Sequence, residues 1–299
     1  MNPYLPITAA CVSTALGGAM AVATRAIVEQ VDPVLLGVIR YGIAAVCLLA
    51  GALYLGRMRF ERRHYLPMAL IGIMFFSVFP IGFSLALKYT TAAQGALVLS
   101  VMPILTMLMA ALFGQEVITR VKVAGAFLVF AGVAFVVEIG DGAGEEAMLG
   151  NVIMFAMAVI GAAFNLLARP YLQTYDQLQA TTWFMVSGWI VMFVATLLTG
   201  TLTLEVPPAE TWWVLIFIGT LGGAIPIFLF NWALGHIEAT LVSVCLGLNP
   251  LTAAVLGMLM LSEPVTLPLM IGLVLVLAGI VTANHRPKKV YDHFDREFD

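Results

Sequence analysis

Charged residues are scarce in this 299-residue chain, in which they make up only 10% of the sequence, against about 25% in soluble globular proteins. The hydrophobic fraction is 62%. A soluble fold of this length cannot hide that much apolar surface, because it must still present a hydrated exterior. The composition therefore excludes a soluble globular domain and predicts an integral membrane protein. The net charge of −3 gives no sign of a nucleic-acid partner.

Cysteine and histidine, which commonly form disulfides, metal sites and catalytic sites, are also rare. Cys11, Cys47 and Cys245 fall in apolar stretches without a spaced framework, so we expect neither disulfides nor thiolate metal sites. The four histidines lie in predicted loops or in the tail, and no zinc-type spacing occurs. The sequence therefore argues against a membrane enzyme and predicts no metal and no cofactor.

Long apolar runs, by contrast, are abundant. A helix needs about 20 mainly apolar residues to cross a bilayer. Strands are excluded because open sheets cannot cross lipid and no barrel-type alternation occurs. The N-terminus lacks the basic region of a secretory signal peptide, so we expect the first apolar run to remain as a span. The runs predict ten spans at about 5–28, 33–55, 65–86, 91–113, 119–137, 148–168, 178–199, 210–233, 239–261 and 266–284.

Lysine and arginine indicate the orientation of these spans. When ten spans are threaded in order, eleven of the fourteen basic residues fall on one side, including those of loop 56–64. Arg25 and Lys88 lie on the opposite side with the acidic loop 138–146, and Arg40 lies within a span. The basic side is predicted to be cytoplasmic, with both termini there, in a bacterial inner membrane.

The chain also repeats itself. Residues 96–137 match 243–284 at an offset of 147, and the first spans match at an offset of 144, which pairs Asp32 with Asp176. Each half has five spans, so the second half crosses the membrane in the opposite sense. Such inverted repeats are typical of secondary transporters, and the alternative is a duplication that only enlarged a bundle.

The most specific repeated segments run from Met102-Pro103-Ile104-Leu105 to Glu116 and from Leu248-Asn249-Pro250-Leu251 to Pro264. They resemble the fourth-span signature of EamA-type domains in the drug/metabolite transporter superfamily. The spacing of Gly125 and Gly132 is similar to that family's fifth span, and Arg40 resembles its second-span arginine, although Phe184 stands at the matching place in the second half.

The resemblance implies an all-α membrane protein of ten helices in two inverted five-helix repeats. The expected divisions are 1–140, 148–285 and a cytoplasmic tail at 286–299. The family exports amino acids, other metabolites or drugs through a central cavity lined mainly by spans 3, 4, 8 and 9, with help from 1 and 6. Within the family the chain is most similar to bacterial amino-acid exporters of the YddG type, so the expected partners are a small-molecule substrate and the lipid bilayer. A monomer is compatible with an exporter of this type.

Polar groups inside spans are the default functional candidates, because each is costly unless it meets water or a partner. Interhelical hydrogen bonding is the alternative role for Asn and Ser. Nearby aromatic and Met side chains can add an apolar wall. The predicted cavity-lining residues are Asn165, Asn231, Ser84, Gln94, Phe83, Trp183, Met102, Trp232 and Arg40. Further polar residues within the spans are Ser100, Ser243 and Asn249, and a further Met near the bends is Met20.

Four prolines lie inside spans, where each removes a backbone hydrogen bond and favours a kink. Their matched placement in the two halves predicts gating bends, and static curvature is the alternative. They are Pro80, Pro103, Pro226 and Pro250.

Arg40 has two interpretations. It can bind a substrate carboxylate, or it can extend toward the outer face and pair with Glu29 or Asp32; the second, structural role is favoured because cationic chains near span ends commonly do this. Glu116 and Glu263 precede predicted helix starts and are interpreted as stabilising the helices that follow.

No Asp or Glu lies near the centre of a predicted span. Proton-coupled pumps use intramembrane carboxylate or histidine relays, so we expect facilitative or exchange transport. The alternatives are a multidrug or cation efflux carrier, which calls for an acidic group in the cavity, a channel and, less favoured, a membrane enzyme.

Overall fold

The computed structural model describes residues 4–56, 59–113, 119–139, 145–201, 207–237, 242 and 245–283. Over these ranges the regular structure is helical, without strands. A 3-10 turn occupies 209–211, and a π-helical turn occupies 220–224. The longer helices are α1 (Tyr4–Ile27), α2 (Pro33–Leu55), α3 (Arg62–Phe76), α4 (Val78–Tyr89), α5 (Ala92–Leu99), α6 (Met102–Leu112), α7 (Arg120–Ile139), α8 (Glu145–Thr174), α9 (Gln177–Leu198), α10 (Trp212–Gly219), α11 (Ile225–His236), α12 (Leu248–Leu261) and α13 (Leu267–Ala283).

The apolar helices agree with the ten predicted spans. Three shorter ones, Val123–Phe135, Leu248–Leu261 and Leu267–Gly279, lie where spans five, nine and ten are predicted. The all-α fold of ten membrane helices is thus confirmed. Seven stretches are long and apolar enough to cross a membrane by themselves: Leu5–Ile27, Pro33–Tyr54, Arg62–Tyr89, Ala92–Leu112, Glu145–Thr174, Gln177–Leu198 and Ala209–His236.

The paired aspartates of the repeat cap equivalent helices. Asp32 precedes α2, and its carboxylate accepts hydrogen bonds from the backbone N–H groups of Val34 and Leu35 at 2.9 and 3.2 Å. Asp176 precedes α9 and accepts from the N–H of Gln179 at 3.1 Å. An N-cap carboxylate satisfies N–H groups that have no partner within the helix. The second span of each half therefore begins by the same local device.

Helices α7 and α13, the fifth spans of the two repeats, pack against each other through reciprocal glycine contacts. A methyl carbon on Gly132 would lie 2.8 Å from the carbonyl oxygen of Gly272, and one on Gly279 would lie 2.7 Å from that of Gly125. Both pairs of glycines are related by the offset of 147. A two-fold relation between the halves produces this reciprocity, in which the contact of Gly132 with Gly272 is repeated by their equivalents, Gly279 and Gly125.

A second matched contact places Arg40 and Phe184 at equivalent points. A methyl carbon on Gly219 would lie 3.2 Å from the carbonyl oxygen of Arg40, and one on Gly72 would collide with the carbonyl oxygen of Phe184. Gly72 and Gly219 are 147 residues apart, while Arg40 and Phe184 are 144 apart, as the two offsets require. The same crossing of helices therefore occurs twice, with a cation in one copy and a phenyl ring in the other.

Each of the four predicted proline positions lies close to an interruption of a helix. Pro103 follows the break between α5 and α6, and Pro250 follows the turn at 246–247 before α12. Pro80 lies just after the break at residue 77, and Pro226 follows the π-helical turn at 220–224. Interruptions of helices therefore accompany all four prolines, and the predicted gating bends stay a prediction.

Candidate functional site

A cavity of about 160 Å³ lies where the two repeats meet, and a single enclosed water needs only about 10–15 Å³ of such space. Its walls come from α1, α2, α3, α4 and α6 of the first repeat and from α8, the π-helical turn, α11 and α12 of the second. The residues that line it are Ser13, Thr14, Gly17, Met20, Arg40, Tyr41, Phe75, Phe76, Phe79, Met102, Phe164, Asn165, Gly222, Pro226, Ile227, Phe230, Asn231, Leu246 and Asn249.

Aromatic rings form much of the apolar wall. The ring centroids of Phe75 and Phe164 are 4.5 Å apart in a stacked arrangement, and those of Phe75 and Phe79 are 4.7 Å apart. Phe76 packs edge-on against Phe164 at 5.5 Å and tilts against Tyr41 at 5.8 Å. Such contacts add to the stability gained from burial alone. The rings give the cavity a rigid surface against which an apolar or aromatic group can lie.

Arg40 brings the charge to this cavity. The residue is only 3% exposed, and its Nε and Nη1 atoms have no hydrogen-bond partner among the described residues. Its Cζ atom lies 4.8 Å from the centroid of the Tyr41 ring and 5.6 Å from that of Phe83. Cation–π contacts attract a guanidinium but supply no counter-ion. The positive charge is thus surrounded by rings.

The predicted ion pair of Arg40 with Glu29 or Asp32 is wrong. Glu29 instead accepts from Nη1 of Arg25 at 3.3 Å, and Asp32 caps α2. Both carboxylates therefore have other partners, and neither forms an ion pair with Arg40 among the described residues. Helix-end geometry alone favoured the pairing, because the sequence does not reveal that local partners are closer.

Two predicted asparagines lie at the cavity with their amide nitrogens directed at protein atoms. Nδ2 of Asn231 donates to Oγ1 of Thr181 at 3.1 Å, and Nδ2 of Asn165 approaches Sδ of Met102 at 3.6 Å. The two carbonyl oxygens have no hydrogen-bond partner in the part of the chain that the structure describes. The carbonyl oxygens of Asn165 and Asn231 are thus available to the cavity as hydrogen-bond acceptors.

Asn249 also lines the cavity, and its Oδ1 atom is buried without a partner among the described residues. A methyl carbon on Gly17 would lie 2.9 Å from its amide nitrogen, and one on Gly161 would lie 2.9 Å from Sδ of Met102. Asn249 and Met102 are 147 residues apart, so they fill equivalent niches. Asn249 is one of the polar residues noted within the spans but is not among the predicted lining residues; its place directly before Pro250 corresponds to that of Met102 before Pro103.

Five predicted lining residues lie elsewhere in this structure. Phe83 stands beside Arg40, and Ser84 is fully buried with its hydroxyl unpartnered among the described residues. Oε1 of Gln94 accepts from the hydroxyl of Thr90 at 3.0 Å. Nε1 of Trp183 donates to the carbonyl of Tyr65 at 3.1 Å, and the Trp232 ring stacks near His236. The wall rings Phe75, Phe76, Phe79 and Phe164 were not singled out, because nothing in the sequence distinguishes them from lipid-facing phenylalanines.

Of the prolines, Pro226 contributes to the lining, whereas Pro80, Pro103 and Pro250 do not. Ser100 bonds back to the carbonyl of Ala96 within its own helix. Ser243 and Glu116 lie outside the described residues.

The carboxylate of Glu263 stabilises a helix start, but not that of the helix that follows it. Its Oε1 atom accepts from the backbone N–H of Ala92 in the first turn of α5, at 3.1 Å. The following helix, α13, is instead capped weakly by Thr266, whose hydroxyl accepts from the N–H of Leu269 at 3.4 Å. The second repeat thus caps a helix of the first, and Glu263 is remote from the cavity lining.

A second depression, of about 480 Å³, lies between α3 and α8. It is lined mainly by Pro67, Leu70, Leu167 and Pro170, and Leu70 is 57% exposed on the outer surface of the helices. Without convergent polar groups it has no means of orienting a solute. The central cavity is therefore the candidate site.

Ten apolar helices in two inverted repeats around a central cavity define an α-helical membrane transporter. The model of the EamA-like transporter family matches residues 5–138 and again residues 148–284. The chain therefore belongs to this family, within the drug/metabolite transporter superfamily, and carries its domain twice.

Named relatives agree with this class. The chain is 26% identical to the uncharacterized transporter YyaM of Bacillus subtilis, over 82% of each chain. It is 25% identical to a probable terminal-alkyne amino-acid exporter of Streptantibioticus cattleyicolor, over 83% of this chain and 82% of that one. The chain also superposes on a solved protein crystal structure with a TM-score of 0.69 at 20% identity, over 93% of this chain and 95% of that one. The two proteins share the fold.

Proposed function

We propose that this transporter exports small metabolites, foremost amino acids including aromatic ones, by alternating access around the central cavity. The observation that carries the proposal is the lining itself, which combines aromatic rings with an arginine and three asparagines. An amino acid presents the complementary set of groups: a carboxylate, an ammonium and a side chain. The amino-acid exporter among the relatives supports the same substrate class.

The inverted repeat supports the mechanism. Two halves related by an axis in the membrane plane can exchange conformations, so that one central site faces each side in turn. The proposed setting is a bacterial inner membrane with both termini cytoplasmic and the halves divided near 140–148; a monomer is sufficient for this cycle.

Transport is proposed to be facilitative or exchange-driven. Among the described residues, neither Asp nor Glu lines the cavity, and a proton relay through it would need such a group or a histidine. We expect counterflow of labelled amino acid in proteoliposomes to persist without a pH gradient and to depend on solute inside the vesicle. A flux that requires an imposed pH gradient, with no effect of counter-solute, would contradict this. Saturable counterflow also separates a carrier from a channel.

Cation efflux is the second candidate function. It is less well supported, because Arg40 gives the cavity a positive charge that disfavours an organic cation. An enzyme has weaker support still, since its cavity would need a nucleophile or metal-ligand cluster, and the described residues contain no group of three or more potential metal ligands.

Removing either amide from the cavity is expected to lower transport. We expect Asn165→Ala and Asn231→Ala each to reduce the initial rate of amino-acid counterflow roughly tenfold, since one hydrogen bond to a charged group contributes about 1.5–3 kcal/mol. The matched control is Asn151→Ala, which removes a buried amide from the same helix as Asn165, where it accepts from Thr90 outside the cavity. Unchanged rates in both cavity variants, per folded protein, would remove the central-site assignment.

A further inference from the structure

We propose that Arg40 binds the carboxylate of the substrate and that the carbonyl oxygens of Asn165 and Asn231 receive its ammonium group. This inference rests on the proposed function, the transport of amino acids, and assigns the two ends of the substrate to named protein atoms. The carrier then selects solutes by the presence of a carboxylate.

The buried charge of Arg40 has no counter-ion among the described residues. The guanidinium is buried, its Nε and Nη1 atoms lack partners among the described residues, and its near neighbours are the rings of Tyr41 and Phe83. A buried ion is costly unless it is paired and hydrogen-bonded. A carboxylate in the cavity supplies both the missing charge and two parallel acceptors for the planar guanidinium.

The repeat shows that the scaffold does not require this charge. Phe184 occupies the equivalent point of the second half, where it is fully buried and packs edge-on against Phe164 at 5.6 Å. The helix crossing at Gly72 and Gly219 is the same in both copies. A residue needed only for packing would serve equally in both halves, so the cation on one side alone indicates a function in the cavity rather than in the fold.

Two helix ends add to the positive potential. Helices α6 and α12 begin at Met102 and Leu248, and their first turns reach the cavity through Met102 and Asn249. The N-terminus of a helix carries a partial positive charge, and interrupted helices in transporters direct such ends at anionic groups of their substrates. Since none of the described lining residues is acidic, the cavity favours an anion.

The ammonium group is assigned by the orientation of the amides. Asn231 and Asn165 direct their nitrogens at Thr181 and Met102, which leaves their carbonyl oxygens as free acceptors among the described residues. An ammonium has three donors and no acceptor, and the neighbouring ring faces attract cations as well. A zwitterion is therefore complementary at both ends, whereas an amine without a carboxylate leaves Arg40 unpaired and is repelled by its charge.

The test is competition against counterflow of labelled L-phenylalanine in proteoliposomes. The competitors are phenylalanine, which has both groups, 3-phenylpropionate, which lacks the ammonium, and phenylalaninamide and phenethylamine, which lack the carboxylate. We expect the two compounds without a carboxylate to compete at least about tenfold more weakly with the wild type. Arg40→Gln is expected to raise the half-saturating concentration of phenylalanine roughly 10- to 100-fold and to abolish the preference for the carboxylate.

Controls separate recognition from folding. Arg40→Lys keeps the charge and should retain part of the preference, while Phe184→Leu changes the equivalent apolar site and should retain all of it. A wild-type protein that accepts phenylalaninamide as readily as phenylalanine overturns the inference, even if Arg40→Gln does not fold. So does an Arg40→Gln variant that loses both solutes equally. If the wild type carries none of the twenty amino acids in a direct uptake panel, the proposed function itself fails.

Discussion

Oxidation of the wild-type protein with copper phenanthroline is expected to join Cys11 to Cys245 and to stop transport, and a thiol reductant is expected to restore it. The two Sγ atoms lie 3.3 Å apart, so a small approach brings them to the bonding distance of about 2.05 Å. Each thiol loses a proton and gives one electron to Cu(II), and the two sulfurs form one bond. The two thiols are thus converted into a covalent bridge between the repeats.

The location of the disulfide bridge explains the expected loss of transport. Cys11 belongs to α1 in the first repeat, and Cys245 lies shortly before α12 in the second. Thr14, which lines the cavity, donates from α1 to the carbonyl of Cys245 at 2.8 Å, so this contact between the repeats lies at the edge of the cavity. Alternating access requires the halves to separate at each end in turn. In the predicted orientation this contact lies toward the cytoplasmic end, where an exporter takes up its substrate, and we expect the rate to fall tenfold or more, to about the background.

The controls lie within the same chain. Cys11→Ser and Cys245→Ser should each transport normally after oxidation, and both retain Cys47, which is exposed and distant from the pair in sequence. Formation of the bridge is measured by the loss of two alkylatable thiols in intact-mass spectrometry. If the bridge forms completely and counterflow continues at its original rate, the contact between α1 and Cys245 does not open during transport.

The sequence predicted the fold well because membrane burial is a strong and local constraint. The predicted span 33–55 coincides with α2, and span 266–284 differs from α13 by a single residue at each end. Apolar length fixes where a helix can cross lipid, and Asp32 marks the helix start because its carboxylate satisfies unpaired N–H groups. The interruption at residue 77, three residues before Pro80, needed the structure to locate it.

The site was predicted less completely, for a physical reason. Polar groups are rare in membrane helices, so Arg40, Asn165 and Asn231 could be singled out, and all three line the cavity. Phenylalanine occurs equally against lipid, against a neighbouring helix or in a cavity wall, so the sequence did not identify Phe75 and Phe164 as lining residues. Trp183 was chosen for its type, yet its indole N–H bonds the carbonyl of Tyr65 away from the cavity. Contacts between distant segments, such as Cys11 with Cys245, depend on how the repeats dock.

That docking depends on the glycines between α7 and α13, where enlarging a side chain is expected to lower the stability of the fold. In Gly132→Val and Gly279→Val the added carbon would lie 2.8 and 2.7 Å from carbonyl oxygens of the opposing helix. Backbone atoms cannot move aside as a flexible side chain can, so the helices must separate. We expect each change to cost about 3 kcal/mol, the upper part of the range for overpacking, and to lower the midpoint of thermal unfolding in detergent by several degrees.

The symmetry of the contact makes the prediction sharper. Gly132 and Gly279 occupy equivalent places, so the two single variants should lose similar stability, and the double variant should lose less than their sum because the first separation already makes room for the second. Gly51→Val is the control, since the nearest atom to a methyl there is a leucine carbon of Leu178 at 3.7 Å, and its unfolding midpoint should stay close to that of the wild type. Unequal losses, or strict additivity, would show that the α7–α13 contact does not act as one close-packed two-fold interface between the repeats.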